Sequence, residues 1–99
     1  MNAAMRLLPL EADHKGHKMR QIKRSDVAAI YSKSAGYEVF LIQKHYGYEI
    51  KGVKIEPSEY MPKDEDFGTK GWYYIGPNAR ELAEKKWRNL NESVDNVSE

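Results

Sequence analysis

The chain has 99 residues, no cysteine and a formal net charge of +1. This suits one domain and excludes disulfides, thiolate metal sites and a cysteine nucleophile. Near-neutral charge also argues against a chain built around nucleic acid, although positive charges prevail in residues 1–56 and negative charges in residues 57–99. The longest apolar run, residues 39–42, falls far short of the ~20 residues of a membrane helix. Leu7, Leu8 and Leu10 are interrupted by Pro9 and precede no small-residue cleavage site, so no signal peptide is expected and the cytoplasm is the expected compartment.

Residues 1–18 show neither helical nor strand periodicity. Pro9 removes a backbone donor and restricts Leu8, and Gly16 adds a break, so this stretch reads as a mobile N-terminal arm. Residues 19–91 read as the domain. Residues 19–24 form a short strand, and Ser25-Asp26 a turn. Residues 27–33, VAAIYSK, are apolar with β-branched and aromatic members, as strands are. Ser34-Ala35-Gly36 closes that element, with Gly36 able to supply a positive φ.

Residues 37–45 make the strongest strand. Val39, Leu41 and Tyr37 share one face, and Phe40 and Ile42 the other, as in an interior strand. Tyr46-Gly47 is the expected tip of a hairpin whose return arm is residues 48–55, with Gly52 marking a bulge or a close approach. Residues 58–70 then read as a long loop holding Pro62, Gly68 and the run Asp64-Glu65-Asp66. Long loops are more often functional than short ones. Residues 71–75, GWYYI, are strand-like. Asn78 as N-cap and Glu81 three residues later start a helix, with Ala79, Leu82, Ala83, Trp87 and Leu90 on one stripe. Residues 92–99 read as a frayed tail. The expected fold is α+β: an antiparallel sheet of three to five strands with one C-terminal helix packed on one face.

Chemistry is thinly signalled. His14 and His17 are a lone pair in the expected arm, short of the three or four ligands a zinc site needs. No nucleophile elbow is present. Asp64, Glu65 and Asp66 are too close in the chain to flank a scissile bond as paired carboxylates do. Neither an enzyme, a metal site nor a cofactor is therefore expected.

Two binding surfaces can be drawn. Tyr60, Asp64, Glu65, Asp66 and Phe67 set an acidic loop between aromatic side chains, a composition suited to a protein partner. Lys44, Tyr46, Tyr48, Lys51 and Lys54 gather rings and ammonium groups on one hairpin. With the basic residues of 18–24, they form the alternative, a weak grip on single-stranded nucleic acid. The first RNP motif of an RRM is not matched at residues 70–75, where Tyr73 stands in place of a small residue.

The pattern Tyr37-Glu38-x-Phe40, Ile50-x-Gly52-x-x-Ile55-Glu56-Pro57-x-Glu59-Tyr60, then Pro62, Gly68, Gly71-Trp72 and Ala83 to Trp87 resembles small uncharacterised proteins of bacteriophages and prophages. It spans about half the chain, and Phe67 stands where that family often has Trp. The resemblance transfers no catalytic residue. It implies an accessory protein carried on mobile DNA and does not choose between a protein and a nucleic-acid partner. The expected role, taken from the surfaces above, is non-enzymatic binding of another protein to modulate a host process, with single-stranded nucleic acid as the alternative.

Overall fold

The structure, a computed structural model, describes residues 5–14, 16–62 and 68–97. Five strands form an antiparallel sheet: β1 (Glu11–His14), β2 (His17–Arg24), β3 (Ala28–Lys33), β4 (Gly36–Leu41) and β9 (Gly71–Ile75), in the spatial order β1-β2-β3-β4-β9. Two ribbons lie between β4 and β9 in the chain. One pairs β5 (Gln43–His45) with β8 (Ser58–Tyr60), and the other pairs β6 (Tyr48–Ile50) with β7 (Val53–Ile55). The helix α1 (Ala79–Val97) follows β9 and lies against β3, β4 and β9. The expected α+β class, antiparallel sheet and C-terminal helix are all present.

Strand alternation splits the core in two. On the helix side, Ile30 and Val39 pack with Ala83, joined by Tyr37, Tyr74, Trp87 and Leu90. Trp87 is half-buried and donates its indole N–H to the Ala28 carbonyl at 3.0 Å, while Lys23 Nζ lies 4.6 Å from the ring centroid. The Ser25 hydroxyl donates to Asn91, tying the turn between β2 and β3 to the helix. Ala79 and Ala83 are buried as the helical stripe requires, but Leu82 is exposed. Because Trp87 keeps some solvent contact, Trp87→Ala should cost about 2–3 kcal/mol, below the ~3–5 kcal/mol of a fully buried ring. Arg80→Ala should cost little. Urea titrations of both variants check the placement of the stripe.

The opposite face carries Met19, Ala29, Tyr31 and Phe40, with the Tyr31 and Phe40 rings stacked at 5.5 Å. One helix cannot reach this face, and the chain closes it with segments that look irregular in sequence. Leu8 inserts here at 6% exposure, together with Ile42, Ala12 and Met61. The Tyr31 hydroxyl donates to the Pro9 carbonyl and accepts from Gln21 Nε2. Arg6 bridges Ser58 in parallel, exchanging backbone hydrogen bonds with Pro57 and Glu59.

These observations correct the expected domain limits. The sheet begins at Glu11 rather than at residue 19, and Leu8 belongs to the core. The apolar residues around Pro9 lack periodicity because only one of them, Leu8, faces inward. At the other end, the helical backbone continues to Val97, through most of the expected tail.

The long central strand is also corrected. It breaks at Ile42, whose N–H donates to the Val27 carbonyl, and the chain leaves the main sheet to form β5. β5 pairs with β8, inside the stretch expected to be loop. The hairpin tip is Lys51-Gly52, not Tyr46-Gly47. Both residues have positive φ, 49° and 79°, as a two-residue turn of type I′ requires. Gly36 serves close approach rather than a turn. A Cβ there would lie 2.2 Å from the Tyr74 carbonyl oxygen across β4 and β9, while the positive φ of that connection falls on Ser34.

Candidate functional site

The ribbon of β5 and β8 has two unlike faces. Cross-strand partners share a side, so Lys44 and Glu59 face one way while Gln43, His45, Ser58 and Tyr60 face the other. Glu59 points inward and ties Leu8 and Arg24 to the cover of the second core. Its carboxylate accepts from Arg24 at 2.6 and 2.8 Å, and from the Leu8 N–H at 3.0 Å. A two-pronged guanidinium contact of this kind is the strong form of the ion pair. Hydrogen bonding from Arg24, helped by the Leu8 N–H and the charges of Arg24 and Lys44, outweighs burial and holds the Glu59 carboxyl below its ordinary pKa. Glu59 is a structural clamp. Its partners lie 35 and 51 residues away, which is why sequence reasoning missed it.

The ribbon of β6 and β7 is more sharply two-sided. Tyr48 faces Ile55 and Ile50 faces Val53, so four apolar side chains share one face, while Glu49 and Lys54 pair on the other. The apolar face stands in solvent: Tyr48 is 49% exposed, Ile50 53% and Val53 59%. A lone two-stranded ribbon is marginally stable in water, so a face of this kind calls for cover. His45 extends the patch. Its ring centroid lies 5.2 Å from that of Tyr48 and 5.9 Å from that of Tyr60, itself 44% exposed. His45 Nδ1 is buried without a hydrogen-bond partner among the described residues. The alternation Tyr48, Ile50, Val53, Ile55 around a two-residue turn was the available signal for this face.

The expected site residues therefore regroup. Tyr60, from the first surface, joins Tyr48, from the second, through His45. Asp64, Glu65, Asp66 and Phe67 lie outside the described residues. Tyr46 is exposed beside the patch, and Lys51 caps the tip. Lys44 lies on the Glu59 side of its ribbon, and Lys54 lies on the face of β6–β7 away from Tyr48. A strand stacked on Tyr48 would thus not run along Lys44 and Lys54. His14 and His17 are cross-strand partners, and His17 Nδ1 hydrogen-bonds the Ser34 hydroxyl at 2.9 Å. Among the described residues, no three His, Asp or Glu side chains converge as metal donors, and no helix is long and apolar enough to cross a membrane. No family model, no curated protein and no solved structure matches the chain.

Proposed function

We propose that the protein is a non-catalytic accessory protein of bacteriophage or prophage type, which binds another protein in the cytoplasm and thereby modulates a host process. The observation that supports binding is the exposed apolar face of β6–β7, continuous with His45 and Tyr60. Interface cores favour such aromatic and aliphatic groups freed of charge. The acidic residues Asp64, Glu65 and Asp66, with Phe67, follow Tyr60 closely in the chain. The accessory role rests on the resemblance of residues 37–87 to phage proteins.

Single-stranded nucleic acid is the second reading, favoured by the exposed rings of Tyr46 and Tyr48 and by the exposed Lys51 at the tip of the hairpin. It is weakened by the placement of Lys44 and Lys54 away from those rings. Phosphate contacts release counterions, so such a complex weakens steeply with salt. Fluorescence anisotropy with labelled single strands at two salt concentrations should find no tight binding. Tight, salt-sensitive binding that Tyr46→Ala reduces by ~1–3 kcal/mol, the worth of one stacked base, would overturn the proposal.

A further inference from the structure

We propose that the outer edge of β9 docks an extended strand of another protein, one that alternates apolar and acidic side chains. This site is separate from the β6–β7 face. β9 ends the five-stranded sheet, and among the described residues no strand pairs with its outer side. The Leu41 N–H donates to the Lys70 carbonyl, which fixes the parity of the β4–β9 ladder. In an antiparallel ladder, residues bonded to one neighbour alternate with residues whose N–H and C=O point to the other side. Trp72 and Tyr74 therefore bond to Val39 and Tyr37 of β4, while Tyr73 and Ile75 present their backbone groups outward. The Gly71 carbonyl also points outward, where it accepts from the Gly68 N–H. The remaining row of donors and acceptors, at strand spacing, is satisfied by another strand.

The two edges of the sheet differ in protection. β1, at the far edge, carries Glu11 and Asp13, charges of the kind that keep edge strands from pairing. β9, GWYYI, holds neither charge nor proline. Its Tyr73 and Ile75 side chains are 40% and 65% exposed.

Alternation and charge set the chemistry of the partner. Tyr73 and Ile75 lie on the sheet face away from the helix, opposite Glu38 and Gly36. Lys33 there is paired with Glu38 at 3.6 Å, so apolar side chains suit that side. Trp72 lies on the helix side, with Lys86 Nζ 4.0 Å from its ring centroid. Strand alternation carries Lys70, two residues before Trp72, to the same side. The helix neighbours of Lys86 three and four residues away are Leu82, Ala83, Asn89 and Leu90, none of them acidic. Carboxylates on the helix side of an added strand meet these two ammonium groups. A second β9 has no carboxylate to offer, so the strand is a foreign one.

Amide hydrogen exchange of the full, isotope-labelled chain tests this, with the peptide Val-Glu-Val-Glu-Val-Glu-Val, about one strand in length, as probe. In the free chain the Tyr73 and Ile75 N–H groups should exchange at least ~10-fold faster than those of Trp72 and Tyr74, as unpaired groups do. The peptide should slow the outer pair. Ile75→Pro removes one outward N–H where an edge strand tolerates proline, and should abolish binding. Ile75→Ala keeps that N–H and should retain binding. Lysine in place of glutamate in the peptide should weaken binding to wild type, and Lys86→Glu should narrow that preference about 2- to 10-fold, as for exposed ion pairs. Slow exchange of Tyr73 and Ile75 in the free chain at any concentration, no binding of the peptide, binding that survives Ile75→Pro, or a preference unmoved by Lys86→Glu overturns the inference. If Ile75→Pro does not fold, the exchange rates and the Lys86→Glu preference decide it.

Discussion

Replacing Glu59 with Gln should lower stability by about 3–5 kcal/mol at neutral pH, the usual result of breaking a buried ion pair by removing one partner. The side chain is almost fully buried and carries both prongs of Arg24 together with the Leu8 N–H. Glutamine keeps the shape but removes the charge, leaving a part-buried guanidinium without its counter-ion. Arg24→Met should cost at least as much, because the carboxylate it leaves unpaired is the more deeply buried partner and keeps only the Leu8 donor. Replacing both with Met should recover much of the loss, because a well-packed apolar pair avoids the desolvation that an ion pair suffers.

The pH dependence carries a sign. The Glu59 carboxyl has a lowered pKa when folded, so it binds its proton more readily in the unfolded chain. Its contribution is present in full above the ordinary glutamate value of 4.5 and is lost as pH falls through the lower folded value. Wild type should therefore lose stability on acidification below that ordinary value, and Glu59→Gln should show a flatter acid limb. Urea midpoints between pH 3 and 7, the range that spans carboxyl titration, check both statements. An acid limb unchanged by Glu59→Gln would place the titrating group elsewhere.

Deleting residues 1–10 should be at least as damaging. It removes Leu8 from the second core, the Leu8 N–H from Glu59, and the Pro9 carbonyl from the Tyr31 hydroxyl. It also uncovers the stacked rings of Tyr31 and Phe40. Leu8→Ala alone should cost about 2–4 kcal/mol as a buried leucine truncation. Leu7 and Leu10 are exposed, so alanine there should stay within about 0.5 kcal/mol of wild type. Guanidinium denaturation of the three alanine variants separates a core role for one leucine from a diffuse effect of the arm. Equal small effects at all three would return the segment to the status of a loose tail.

What was legible in the sequence follows from range. β3, β4, β9 and α1 announce themselves through local pattern: an apolar run, alternation, an N-cap and a helical stripe. The class of fold and the helix-side core came with them. The second core was hidden because it depends on single residues far apart, such as Leu8 against Tyr31 and Glu59 against Arg24, and no local period marks one inward leucine beside a proline. The pairing of β5 with β8 was hidden by the excursion of β6–β7 between them. The hairpin turn was misplaced because Tyr46-Gly47 resembles a turn as well as Lys51-Gly52 does, and lysine rarely takes a positive φ. Of the two binding surfaces, the sequence showed their members but not their faces. Only pairing reveals that Lys54 and Tyr48 lie back to back and that Tyr60 and Tyr48 share His45.

The central claim is that the apolar face of β6–β7 is kept for a protein partner and is not part of the chain's own core. Nuclease-treated affinity capture, with wild-type and Ile50→Glu chains of matched melting temperature as bait, tests it most directly. The expected result is that protein retained by the wild-type chain is lost from the Ile50→Glu chain. Equal retention by the two baits, or an Ile50→Glu chain that cannot be matched because it unfolds, would contradict the claim.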